Sequence, residues 1–130
     1  MAYAGSERVR GGEAASADRC VIDEAHLMHY TLGDQALACE ILELFVAQVD
    51  IYLERLGGAK DDLAWHEAAH SLKGSARAIG AQVLSAQAAA AEAIRHEDED
   101  VRARHLATLA ASVEDVKQAA AGYLQRVKAA

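Results

Sequence analysis

Two histidines stand one helical turn apart in the stretch HEAAHSLKGSARAIGA, residues 66 to 81. Their neighbours support two incompatible kinds of chemistry. Read from the first histidine, His66-Glu67-Ala68-Ala69-His70 matches H-E-x-x-H. In that pattern both histidines reach one Zn²⁺ and the glutamate activates a water. Read from the second, His70 is followed one turn on by Lys73 and Gly74. A histidine nitrogen can take a phosphoryl group covalently. The product carries about two negative charges, which a lysine one turn away partly neutralises while hydrogen-bonding a phosphoryl oxygen. Arg77 adds a second positive charge on the same side.

The zinc pattern fixes only three letters, in a chain with six histidines. A catalytic zinc needs a third protein ligand. The extended form H-E-x-x-H-x-x-G-x-x-H fails, because its glycine position holds Lys73 and its last histidine position holds Ala76. Glu92 or His96 would have to serve instead, and Lys73 beside His70 opposes a cation. No strand is predicted that would hold an extended peptide substrate. No metal site is therefore expected.

Residues three and four apart share a helix face. Trp65, Ala68, Ala69, Leu72, Ala76 and Ile79 form an apolar stripe, while His66, Glu67, His70, Lys73, Gly74 and Arg77 lie opposite. His70 should thus point outward. Lys73 and Arg77 also suit ordinary solvated charges. Gly74 is harder to explain, since a glycine inside a helix costs about 1 kcal/mol relative to alanine. On an exposed face next to a histidine, it suggests close approach by another molecule. An attacking imidazole nitrogen must be unprotonated, so the other should carry the proton and be held by an acceptor. Glu92, on the next helix, is the candidate; it reads equally well as an exposed acid near a helix end.

The elements that must position these residues are helices. The chain has no proline, is rich in alanine, and only 5% of it is aromatic, a balance that favours helix. A short helix is expected over 23 to 30, followed by a break and a new cap at Gly33-Asp34. The second runs from about 34 to 56, with Ala38, Leu42, Phe45, Val49, Tyr52 and Leu56 as its core stripe, widened by Ile41, Leu44 and Ile51. The third, about 61 to 79, carries the histidines and stops at Gly80. A fourth is expected over 81 to 95, then a polar loop beginning at His96. The last runs from about 99 to 128, with an unbroken seam of Leu106, Leu109, Val113, Val116, Ala120, Tyr123 and Val127. Four sizeable amphipathic helices with short joints predict an all-α fold, an antiparallel up-and-down four-helix bundle with a short additional N-terminal helix.

The chain has 130 residues, enough for one domain with a core. Residues 1 to 19, rich in Gly, Ser, Ala and charge, are expected to be a flexible tail, and 20 to 130 the bundle. With Met1 at its head, that tail favours a stand-alone chain. A net charge of −7 does not suit nucleic-acid binding, which needs a basic footprint. No apolar stretch is long enough to span a membrane, and no signal peptide is evident. Cys20 and Cys39 make no disulfide framework; Cys39 should be a small buried hydrophobe, and the cytoplasm is the expected compartment. The final helix spends its seam inside the bundle, so a monomer is expected.

Ala69-His70-Ser71-Leu72-Lys73-Gly74-Ser75-Ala76, with Ile79-Gly80-Ala81 behind it, resembles the signature of histidine-containing phosphotransfer (HPt) domains. The resemblance extends in pattern from about residue 21 to the C-terminus. It implies a four-helix bundle that relays phosphoryl groups between aspartates of receiver domains in multistep two-component signalling, with no ATP site of its own. It further implies that His70 is phosphorylated on Nε2, that Lys73 partners the phosphate, and that Gly74 gives clearance. Glu92 falls where the family often places Gln or Glu near the active histidine. The implied partners are response-regulator receivers and a hybrid sensor kinase, with Mg²⁺ supplied by the receiver. The docking surface should surround His70 and include His66, Glu67, Arg77, Ala88 and Ala89. His66 has no assigned task and is a bystander at the rim; family members commonly lack the Trp65-His66 pair. The competing class is a phosphorylation-independent adaptor that only binds a receiver.

Overall fold

The computed structural model describes residues 21–95 and 99–130. The expected tail at 1 to 19, and His96 at the head of the expected polar loop, lie outside them. Among the described residues five helices follow one another: α1 (Glu24–Tyr30), α2 (Gln35–Gly57), α3 (Asp62–Ala78), α4 (Gln82–Glu92) and α5 (Glu99–Ala129). No strand occurs among the described residues. Three of the starts are aspartate caps. The side chains of Asp23, Asp34 and Asp61 each accept the backbone N–H three residues on, satisfying donors that a helix start leaves open.

The four long helices close into a ring: α2 packs on α3 and α5, and α4 packs on the same two. Neighbours run antiparallel. Asp50 meets Lys117 and the α-carbon of Gly57 faces Leu106 across α2 and α5. The core holds the α2 stripe of Ala38, Leu42, Phe45, Val49 and Leu56, the α3 stripe from Trp65 to Ala76, and Leu109 to Tyr123 of α5. The all-helical bundle is thus as expected from the sequence.

The turn between α3 and α4 is fixed by glycine. Gly80 has φ +81°, and a Cβ there would come within 2.7 Å of the carbonyl oxygen of Asp23. Only glycine takes both the left-handed angle and that contact without strain. The close approach lets the Asp23 N–H donate to the Gly80 carbonyl at 2.8 Å, which ties the start of α1 to this turn.

Four expectations need correction. Leu44 and Ile51 do not widen the core stripe; they are exposed, because they lie on the side of α2 opposite Leu42, Phe45 and Val49, rotated past its main contacts with α3 and α5. Ala88 is not an exposed docking residue. It is fully buried, since it shares the inward stripe of α4 with Leu84 and Ala91. Helix α4 ends at Glu92 rather than near 95. Ile94 then turns back into the core. Cys39 is half-buried at the core's edge rather than fully enclosed.

Candidate functional site

The α3 face opposite the core stripe carries His70 with 64% of its side chain exposed. Because α3 and α4 are antiparallel, the last residue of α4 lies beside the middle of α3. Glu92 thereby reaches three α3 side chains. Its Oε2 lies 2.8 Å from Nδ1 of His70 and 3.5 Å from Nε2 of His66, and its Oε1 lies 2.6 Å from Nζ of Lys73. The Glu92 side chain is largely shielded from water, which strengthens these contacts.

Two cationic or hydrogen-bonding partners on one carboxylate shift its proton affinity. Hydrogen bonds from Lys73 first, and His70 second, pull the Glu92 carboxyl from 4.5 down to about 2. Glu92 is therefore ionised at neutral pH and can only accept hydrogen bonds. It follows that Nδ1 of His70 carries the ring proton. Nε2 then holds the lone pair, and it has no hydrogen-bond partner among the described residues. An exposed imidazole with its proton pinned on Nδ1 is a nucleophile at Nε2.

Gly74 lies one turn beyond His70. A Cβ built there meets nothing within 4 Å. No contact inside the chain requires this glycine, unlike Gly80. Lys73 does not extend freely toward solvent as a phosphate partner would in isolation; it is half-buried and paired with Glu92. His66 is bound as well: its Nδ1 lies 3.1 Å from the main-chain carbonyl of Glu92, and its ring stacks on that of His70 at 6.2 Å between centroids.

An open cleft of about 830 Å³ lies beside these residues, lined by Arg55, Ala59, His66, Glu67, His70 and Glu92 among others. Arg77 and Ala89 are exposed but line a separate hollow of about 270 Å³ at the start of α4. The structure thus gathers His66, Glu67, His70, Lys73 and Glu92 in one place, sets Gly74 next to them, and puts Arg77 and Ala89 farther along the α3–α4 groove. Arg55 was missed by motif reading, because nothing near it in sequence marks it; it arrives through the antiparallel pairing of α2 with α3.

The zinc pattern has brought both histidines and Glu92 together, yet the donor set does not suit a cation. The carboxylate is committed to an ammonium and to Nδ1 of His70. Among the described residues no group of three His, Cys, Asp or Glu side chains is placed to hold a metal ion.

The model of the Hpt domain family matches residues 40–119, more than half of the chain and a stretch that contains His70, Lys73, Gly74 and Glu92. No curated protein and no solved structure matches the chain.

Proposed function

The chain belongs to the Hpt domain family, whose members serve histidine phosphotransfer in phosphorelays, and on that premise we propose that His70 carries the phosphoryl group. The observation that supports this most is the 2.8 Å contact between Glu92 and Nδ1 of His70, which leaves Nε2 unprotonated on an exposed face.

The donor is an aspartyl phosphate on a receiver domain. The Nε2 lone pair attacks phosphorus roughly in line, an N–P bond forms, and the P–O bond to the aspartate breaks. The aspartate leaves as a carboxylate with the bonding electron pair. The ring proton stays on Nδ1, so the imidazole becomes cationic, and Glu92 stabilises that charge directly. The reverse step delivers the group to the aspartate of a second receiver. A hybrid sensor kinase and a response regulator supply the two receivers, each with its own Mg²⁺, and the relay runs in the cytoplasm. Such a transition state spreads negative charge over the equatorial oxygens. Lys73, shared with Glu92 in the unphosphorylated chain, faces that charge, and Gly74 leaves room for the incoming domain. Glu67 flanks the nucleophile in the cleft, and Arg77 and Ala89 extend the docking surface farther along the α3–α4 groove. Leu44 and Ile51, 57% and 45% exposed, share an α2 face with Arg55 of the cleft and add an apolar edge to that surface.

The test incubates the chain with phosphorylated receiver domains. Acid-labile, alkali-stable label should appear on wild type and vanish in His70→Gln, while both proteins bind the receiver. Label that persists in His70→Gln would sink the assignment. Receiver binding without any label on His70 would instead mark an adaptor.

A further inference from the structure

Helix α4 is the shortest of the four bundle helices, with 11 residues. Its start has no side-chain cap, and its end has no glycine: Ala93 closes it in an ordinary right-handed conformation. The last carbonyls of a helix have no partner within it. Glu92 is the final residue of this helix, where fraying is easiest. The placement of its carboxylate therefore needs support from outside α4.

That support comes from two consecutive residues of α3. Trp65 donates from Nε1 to the carbonyl of Ala91 at 2.7 Å, and Nδ1 of His66 lies 3.1 Å from the carbonyl of Glu92. The Arg102 guanidinium lies over the Trp65 ring, 5.5 Å from its centroid. A carbonyl only accepts, so Nδ1 of His66 carries a proton. In the neutral ring, Nε2 is then a bare acceptor facing Oε2 of Glu92 at 3.5 Å. Two acceptors do not bond, which leaves that oxygen to His70.

We propose that His66 is a positioning residue for the phosphotransfer site. It pins the main chain of Glu92 so that the carboxylate meets Nδ1 of His70, and it thereby keeps Nε2 as the nucleophilic nitrogen. Trp65 and His66 thus add, from α3, side-chain contacts to the last two carbonyls of α4, beside the main-chain cap that Ala93 supplies. The effect on transfer rests on the reading of His70 given above; the effect on the His70 ring does not.

The experiment uses the full chain, with imidazole ¹⁵N NMR at about pH 8.5, where ordinary histidines are neutral. Wild type should show His70 with its proton on Nδ1. His66→Ala should move His70 to a mixture of both tautomers and slow transfer from a phosphorylated receiver by about tenfold, the usual order for losing a residue that orients a reacting group. The phosphoryl group should then also appear on Nδ1. His66→Asn, whose amide N–H stands where Nδ1–H was, should restore the tautomer and most of the rate. If His66→Ala fails to fold, His66→Gln makes the same comparison, because its amide replaces Nε2 instead. An unchanged His70 tautomer in the variant that lacks the Nδ1 donor would overturn the proposal, and so would a slower rate that His66→Asn does not recover. A tautomer shift in a chain that accepts no phosphoryl group would support His66 as a positioning residue and overturn the phosphotransfer reading alone.

Discussion

On the inner face of α3, Trp65, Ala69, Leu72 and Ala76 are almost wholly enclosed. On the outer face, His70 keeps most of its surface, and Gly74 has empty space where a side chain would begin. The inner face is apolar and makes many weak contacts, so its loss should register as stability. The outer face is polar and makes few contacts, each directed at one atom, so its loss should register as chemistry. The contrast teaches that a single helix holds two separable sets of residues, and that the second is positioned by α4 rather than by α3 itself. The following substitutions are expected to separate the two, with stability lost on the inner face and chemistry lost on the outer.

Leu72→Ala carries the largest expected effect. The side chain is fully buried, and removing such a leucine costs about 2–5 kcal/mol. Urea unfolding should show that loss, and a fall below about 1 kcal/mol would mean the inner face is not the core it resembles. Next comes Gly80→Ala, at about 1–3 kcal/mol. Its backbone angle is left-handed and its Cβ would press on the Asp23 carbonyl, so α1 should detach from the α3–α4 turn, seen as faster amide exchange at Asp23. Gly74→Ala should do the opposite, raising stability by up to about 1 kcal/mol while slowing phosphoryl transfer from a receiver. Two glycines six positions apart would then differ in sign, and a stability loss at Gly74 would erase the distinction.

The smallest effect is a titration. Glu92 is depressed from 4.5 to about 2, so the stability its ion pair contributes is fully present above pH 4.5 and is lost as pH falls through about 2. Carboxyl ¹³C shifts should give a midpoint near 2. Lys73→Met should move it upward, since the lysine hydrogen bond is the leading cause. A midpoint unmoved by that change would remove Lys73 from the outer-face network.

Much of this was legible in the residues. The aspartate caps, the stripe of α3 and the stop at Gly80 follow from local rules, because helix caps and periodic burial depend on neighbours in sequence. Leu44 and Ile51 were placed wrongly for the same reason. Their apolar character is local, but whether a helix has a neighbour on that side is not. Ala88 failed likewise, since alanine has no polarity that would reveal its face. Helix α4 ends at Glu92, three residues short of the expected end; the side chains that meet its last two carbonyls, Trp65 and His66, belong to another helix.

The sequence by itself determined that the chain is helical, that His70 faces outward, and that a lysine and a glycine lie one turn beyond it. These facts depend on spacing along one helix, which the 3.6-residue repeat dictates. Only the tertiary structure decided that Glu92 reaches Nδ1 of His70, that Lys73 is held by the same carboxylate, and that His66 grips the end of α4. Those contacts span more than twenty residues or depend on one that does, and they exist because two antiparallel helices pack at a particular register.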